Sequence, residues 1–194
     1  MSLQERKRKA VRDHVVATGL NLFLEHGFEA VTAEQIARAA GISPRSFFRY
    51  FDTKEDVALD GVVEAGRRVE SALSARPPQE SVWDAIRSAL LVLVDEPAYP
   101  PEDLLAISRM LLETASLRAR QLEKQQRWED FLLPHIVARL PPDQSGTETA
   151  GVRAAAIVGA ALACLHAATA AWTRTGGTQD PVRLLDEAIE AVRS

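Results

Sequence analysis

The sequence predicts an all-α protein, with a small N-terminal three-helix head on a larger helical body. No stretch sustains the period-two alternation of a half-buried strand. Apolar residues recur instead at helical spacing, as Val16, Leu20 and Phe23 do at the start. Cap-forming residues and Gly or Pro breaks mark where one helix stops and the next begins.

Taken in order, residues 6–26 form the first helix, with Gly27 as its stop. Thr32-Ala33-Glu34-Gln35 is a capping-box pattern that opens a short helix through Ala40, and Gly41 ends it. Ser43 caps a third helix with Pro44 at its first position. Thr53 caps a fourth helix that runs to about Ser74, before the Pro77-Pro78 break. The next helix, about Ser81 to Asp95, carries Val82, Ile86, Leu90 and Leu93. Pro101 starts another that reaches about Ser116. Leu117 to Leu140 follows as a helix kinked near Pro134, where a backbone donor is missing. The segment PPDQSGTE reads as a loop, 148–174 as a long Ala-rich helix ended by Gly176-Gly177, and Pro181 to about Val192 as the last helix. These elements divide into a head, residues 1–53, and a body, residues 54–194.

Composition narrows the function. One cysteine, Cys164, makes neither an internal disulfide nor a cysteine zinc site. The charged N-terminus has no apolar run after it, unlike a secretory signal. A cytoplasmic protein is expected. Ala154 to Trp172 holds no Asp, Glu, Lys or Arg over 19 residues, enough to span a bilayer. Alanine dominates it, so a buried helix and no membrane partner is the expectation. The net charge of −4 is uneven: residues 1–54 hold nine Lys and Arg against six Asp and Glu, a net +3, and the rest hold 14 against 21, a net −7. A basic head on an acidic body points to an anionic partner at one end, or to a solvated charged face. The chain lacks GxGxxG, P-loop, HExxH and GxSxG patterns, and its histidines show no metal spacing, so no enzyme, cofactor or metal site is expected.

The segment from Thr32 to Tyr50 carries the functional signal. On a wheel of 100° per residue, Arg45, Ser46, Arg49 and Tyr50 fall within about 140°, while Phe47, Phe48 and Phe51 fill the other side. The aromatic side can pack on Leu20, Phe23 and Ile36, which turns the cationic side outward. A helix-turn-helix needs this division, because one helix sets the angle and the next offers side chains to a major groove. Arg45 and Lys54 each lie in the first turn of a helix, where a cation opposes the helix dipole by roughly 0.3–1 kcal/mol. A bound phosphate reverses that balance, and the Thr32 hydroxyl or amide can meet one too. The run Arg6-Lys7-Arg8-Lys9 can lie along the sugar-phosphate backbone or reach a minor groove.

The stretch TAEQIARAAGISPRSFFRYFDTKEDV resembles the DNA-binding signature of TetR-type transcriptional regulators. The resemblance rests on Thr32, Ile36-Ala37, Ala40-Gly41-Ile42-Ser43, Phe47, Tyr50-Phe51 and Lys54-Glu55, with Leu22-Phe23 and His26-Gly27-Phe28 closing the first helix. It covers roughly residues 10–58. It implies a regulator that binds a palindromic operator as a homodimer and is released by a small molecule, with Thr32, Ala33, Ser43, Pro44, Arg45, Ser46, Phe48, Arg49, Tyr50 and Lys54 at the DNA. Two departures stand out. Phe48 replaces the usual Tyr, so it either touches a thymine methyl or packs inside. Arg45 replaces a small residue and can read a guanine bidentately.

The resemblance places the homodimer contact on the last two long helices. Gly151, Ala155, Gly159, Ala163, Ala167 and Ala171 add a ridge of small residues every four positions, and Val182, Leu185, Ile189 and Val192 a stripe on the last helix. The alternative is an internal core helix. For the effector, residues 82–172 offer Trp83, Ile86, Met110, Trp128, Phe131, Leu132 and His166 as pocket lining or plain core, and Arg109 and Glu113 as polar contacts or a surface pair. The apolar bias favours an apolar or amphipathic small molecule. The rival to a regulator is a helical protein-interaction module without specific DNA binding.

Overall fold

The computed structural model describes residues 2–140 and 147–193. Most of the PPDQSGTE loop therefore lies outside the described residues. Ten helices and no strand occur among the described residues: α1 (Leu3–His26), α2 (Ala33–Ala39), α3 (Pro44–Phe47), α4 (Lys54–Ala58), α5 (Asp60–Ser74), α6 (Val82–Asp95), α7 (Pro101–Glu113), α8 (Ala115–Val137), α9 (Thr147–Arg174) and α10 (Pro181–Arg193). They form two compact units. One is Met1–Gly61 with Arg109–Gln121, and the other is Val62–Ser108 with Leu122–Ser194.

In the first unit α1 packs on α2 and α4, and α2 on α3. Val15, Val16, Leu20 and Phe23 of α1 bury against a core that includes Ile36, Ala37, Phe47, Phe51 and Val57. Gly19 lets α1 and α4 approach closely, since a Cβ there would stand 2.6 Å from Val57 Cγ1. The single helix expected from Thr53 to Ser74 is two helices. Val57, Ala58 and Leu59 are all buried, and three successive residues cover about 200° of a helix. A straight helix would turn one of them outward, and the chain instead breaks at Leu59 (φ −97°, ψ 1°).

The second unit centres on Val69 and Leu73 of α5, Ala85, Ile86, Ala89 and Leu90 of α6, Leu132 and Ile136 of α8, and Val158, Ala161 and Leu162 of α9. Leu185 and Ile189 of α10 complete it. Helix α9 is long and apolar enough to cross a membrane by length and composition. Its buried stripe nonetheless belongs to this core. Cys164 is part of the same stripe; its thiol donates to the Ala188 carbonyl at 3.2 Å, and burial raises its pKa. Helix α8 runs through Pro134 and ends at Val137.

Arg87 of α6 donates to both carboxylate oxygens of Asp186 of α10, at 2.5 and 2.7 Å. These bonds hold Asp186 below the ordinary carboxylate range. A carboxylate with a lowered folded pKa stabilises the fold above its unfolded pKa, about 4, and the benefit fades as pH falls through the folded value. Asp186→Asn should therefore flatten the loss of thermal midpoint below about pH 4. An unchanged acid limb would show that other carboxylates carry it.

Candidate nucleic-acid interface

The helix-turn-helix is built by three local caps. Thr32 Oγ1 accepts from the Gln35 amide at 3.2 Å, and the Gln35 side chain accepts from the Thr32 amide at 2.8 Å. That closes the capping box and leaves the Thr32 hydroxyl, not its amide, as the group it offers outward. The chain then turns at Gly41, whose φ of +69° suits glycine, while the Ile42 amide donates back to the Ala37 carbonyl. Ser43 caps α3, accepting from the Ser46 amide at 3.1 Å and donating to the Ser46 hydroxyl at 3.0 Å.

Helix α3 is a single turn. Residues 48–50 follow as a tighter turn, with the Tyr50 amide donating to Phe47 O at 2.8 Å and the Arg49 amide to Ser46 O at 3.3 Å. Its inner side is aromatic as expected: Phe47 and Phe51 are buried, with ring centroids 5.7 Å apart. Arg45 and Arg49 are exposed, Pro44 is exposed, and Ala33, Ser46 and Tyr50 are half-buried. The Arg49 guanidinium lies 5.4 Å from the Tyr50 ring centroid.

Phe48 departs from the wheel. The residue is 49% exposed and its ring meets Phe47 edge-on at 5.4 Å, so it does not pack inside. The buried volume beneath the turn is already filled by Phe47 and Phe51, and the tightening at residues 48–50 swings Phe48 outward.

Lys54 also differs from expectation. Its ammonium donates to the carbonyls of Phe28 (2.8 Å) and Val31 (3.0 Å), and sits 4.3 Å from the Phe28 ring centroid. The carbonyls of the α1–α2 connection answer its charge, so the dipole penalty at α4 needs no phosphate to offset it. Sequence spacing gave no sign of a lysine reaching back 23 to 26 residues. Lys54→Ala should cost about 1.5–3 kcal/mol of stability, the range for hydrogen bonds to a charged group, read as a lower thermal midpoint. An unchanged midpoint with weaker duplex binding would return Lys54 to the phosphate role.

The basic run Arg6-Lys7-Arg8-Lys9 is helical and exposed at the start of α1, where Ser2 and Glu5 form a capping box. Lys9 pairs with Asp13 at 2.9 Å.

The remaining expected residues scatter. Along α9, Ala155, Ala163 and Ala167 are exposed and Gly151, Gly159 and Ala171 half-buried, so the small-residue ridge faces away from the core. Leu185 and Ile189 do not join it. They are buried in the chain's own core, because the apolar stripe of α10 is spent on α9 and α6. Of the expected pocket residues, Ile86 and Leu132 are fully buried core, and Trp128 is fixed by its indole N–H on Val62 O at 2.8 Å. His166 is exposed. Arg109 and Glu113 are exposed and belong, with half-buried Met110, to the first unit rather than to the second. Trp83 and Phe131 are half-buried in the second unit, with the Arg67 guanidinium 5.4 Å from the Phe131 ring centroid.

Residues 15–60 match the sequence profile of bacterial regulatory proteins of the TetR family, and residues 80–194 match the MftR C-terminal domain. The chain belongs to the TetR family. Among its relatives is the HTH-type transcriptional regulator TcmR of Streptomyces glaucescens, 34% identical over 143 residues, which are 71% of this chain and 63% of TcmR. The chain thus spans less than two thirds of that relative's length. The TetR-type fold recurs in Thermus thermophilus FadR, a TetR-family transcriptional repressor solved with lauroyl-CoA: 23% identity, TM-score 0.58, covering 92% of this chain and 91% of FadR. It recurs too in NalD of Pseudomonas aeruginosa, the secondary repressor of the MexAB-OprM multidrug efflux pump: 20% identity, TM-score 0.57, covering 96% and 95%. This TetR-family chain therefore carries the family's DNA-binding segment across α1–α4, with the basic outward face described above.

Proposed function

We propose that this TetR-family regulator binds a palindromic duplex operator as a homodimer, represses transcription, and is released by an apolar or amphipathic small molecule. The observation that carries the reading is the exposed Arg45 and Arg49 pair on a turn anchored from behind by buried Phe47 and Phe51. Such a turn presents guanidinium groups to base edges and phosphates while its rings fix the angle. Thr32, Ser46 and Tyr50 flank it as phosphate or base contacts. Phe48 brings an apolar ring that suits a thymine methyl. The outward ridge of α9 supplies the surface for a second copy, and the half-buried Trp83 and Phe131 are the candidate lining of an effector site. Helix α5 starts in the first unit and continues into the second, a covalent route by which effector binding alters the head. The regulator works in the cytoplasm, alongside its operator, and needs no catalytic step.

Selection from a random duplex pool tests this. The enriched sequence should be a palindrome with half-sites about 34–36 Å apart, or slightly more on distorted DNA. Its affinity should fall steeply with salt. A pool that enriches nothing, with affinity flat in salt, would favour the protein-interaction module.

A further inference from the structure

Arg12, in the middle of α1, joins three parts of the first unit. Its Nε and Nη2 donate to Asp60 Oδ1 at 2.8 and 2.5 Å, and its Nη1 donates to the Tyr50 carbonyl at 2.7 Å. The guanidinium carbon lies 4.2 Å from the Phe51 ring centroid. Tyr50 O is at the end of the recognition turn, and Asp60 opens α5.

A helix of one turn does not hold itself, because helix nucleation is unfavourable and each helix end leaves backbone groups unpaired. The direction of Arg45 and Arg49 must come from what grips the turn. At its start that is the Ser43 cap, and beneath it are Phe47 and Phe51. At its end, Arg12 satisfies the Tyr50 carbonyl and places a cation at the negative end of the turn. The same plane stacks on Phe51 and is fixed in turn by Asp60. Only a guanidinium has the fork to meet both partners and the flat face to cover the ring.

We propose that Arg12 is a positioning residue for DNA reading. It touches no DNA, and it sets the presentation of Arg45 and Arg49 by tying the recognition turn to the first residue of α5. This rests on the DNA-binding reading above.

The test uses the full chain and the duplex enriched from the random pool, with Arg12→Met, Arg12→Lys and Asp60→Asn. Met keeps the stem over Phe51, Lys keeps the charge, and Asn keeps the shape at position 60. Each should lower affinity for the enriched duplex about tenfold or more while affinity for scrambled duplex hardly changes. The salt slope should stay that of the wild type, because no phosphate contact is lost. The Arg12→Met/Asp60→Asn double variant should lose little more than either single one. The proposal is overturned if Arg12→Lys binds as the wild type does, if Arg12→Met reduces the salt slope by about one, or if Asp60→Asn is silent. Thermal midpoints separate unfolding from mispositioning. If Arg12→Met melts early, the isosteric Asp60→Asn carries the test. A wild type that enriches no duplex refutes the DNA reading itself; enrichment with indifferent variants refutes only the clamp.

Discussion

Gly66→Ala should destabilise the protein by about 1–2 kcal/mol net, lowering the thermal midpoint by roughly 2–8 °C. A Cβ on Gly66 would stand 2.6 to 2.8 Å from three atoms of the Trp128 indole. The ring has little room to retreat. It is almost wholly buried, and its N–H is fixed on the Val62 carbonyl one turn before Gly66 on the same helix. Replacing glycine by alanine inside a helix normally gains about 1 kcal/mol, so the sign depends on the clash winning. Overpacking a rigid ring costs about 1–3 kcal/mol and occasionally more, and here either the ring or α8 must move. A smaller partner should suppress the effect: Gly66→Ala with Trp128→Leu should be less destabilised than the two single losses predict. Thermal melts of the four proteins check this. If Gly66→Ala melts at or above the wild-type temperature, α5 and α8 are not packed this closely.

Arg45→Ala with Arg49→Ala should reduce affinity for the enriched duplex by about a hundredfold or more and leave the thermal midpoint almost unchanged. Both side chains are exposed on a turn whose stability comes from Phe47 and Phe51 on the opposite side. Removing them takes away two guanidinium groups worth about 1–3 kcal/mol each if they read base edges bidentately. The single variants separate the roles. A base-reading arginine relaxes preference at one position of the half-site, whereas a phosphate-bound one weakens all duplexes alike and lowers the salt slope by about one. Gel shift at fixed salt, repeated across a salt series, distinguishes these outcomes. Retained affinity in the double variant would remove the recognition turn from the reading of DNA altogether.

The local features of the head were legible from sequence. The Thr32 and Ser43 caps and the Gly27 and Gly41 stops follow from interactions within about four residues, and the burial of Phe47 and Phe51 from the one side of the turn that they share. The exposure of Arg45 and Arg49 follows too, since charged groups opposite a buried aromatic side have nowhere else to go. Arg12 carried a signal that is plain in hindsight. It lies one turn before Val16, on the stripe that runs through Leu20 and Phe23 into the core. A charged residue on a core-facing stripe asks for a partner, but nothing local identifies Tyr50 or Asp60 as that partner.

What the sequence determined by itself is the set of short-range decisions: where helices start and stop, and which side of each is apolar. Packing decided the rest. The break at Leu59 exists because three consecutive residues all find core, and Lys54 turns inward because carbonyls of a distant connection lie within its reach. Leu185 and Ile189 are core rather than interface because α9 and α6 claim the stripe first. Periodicity tells which residues leave water, whereas only the assembled neighbours tell what each of them leaves water for.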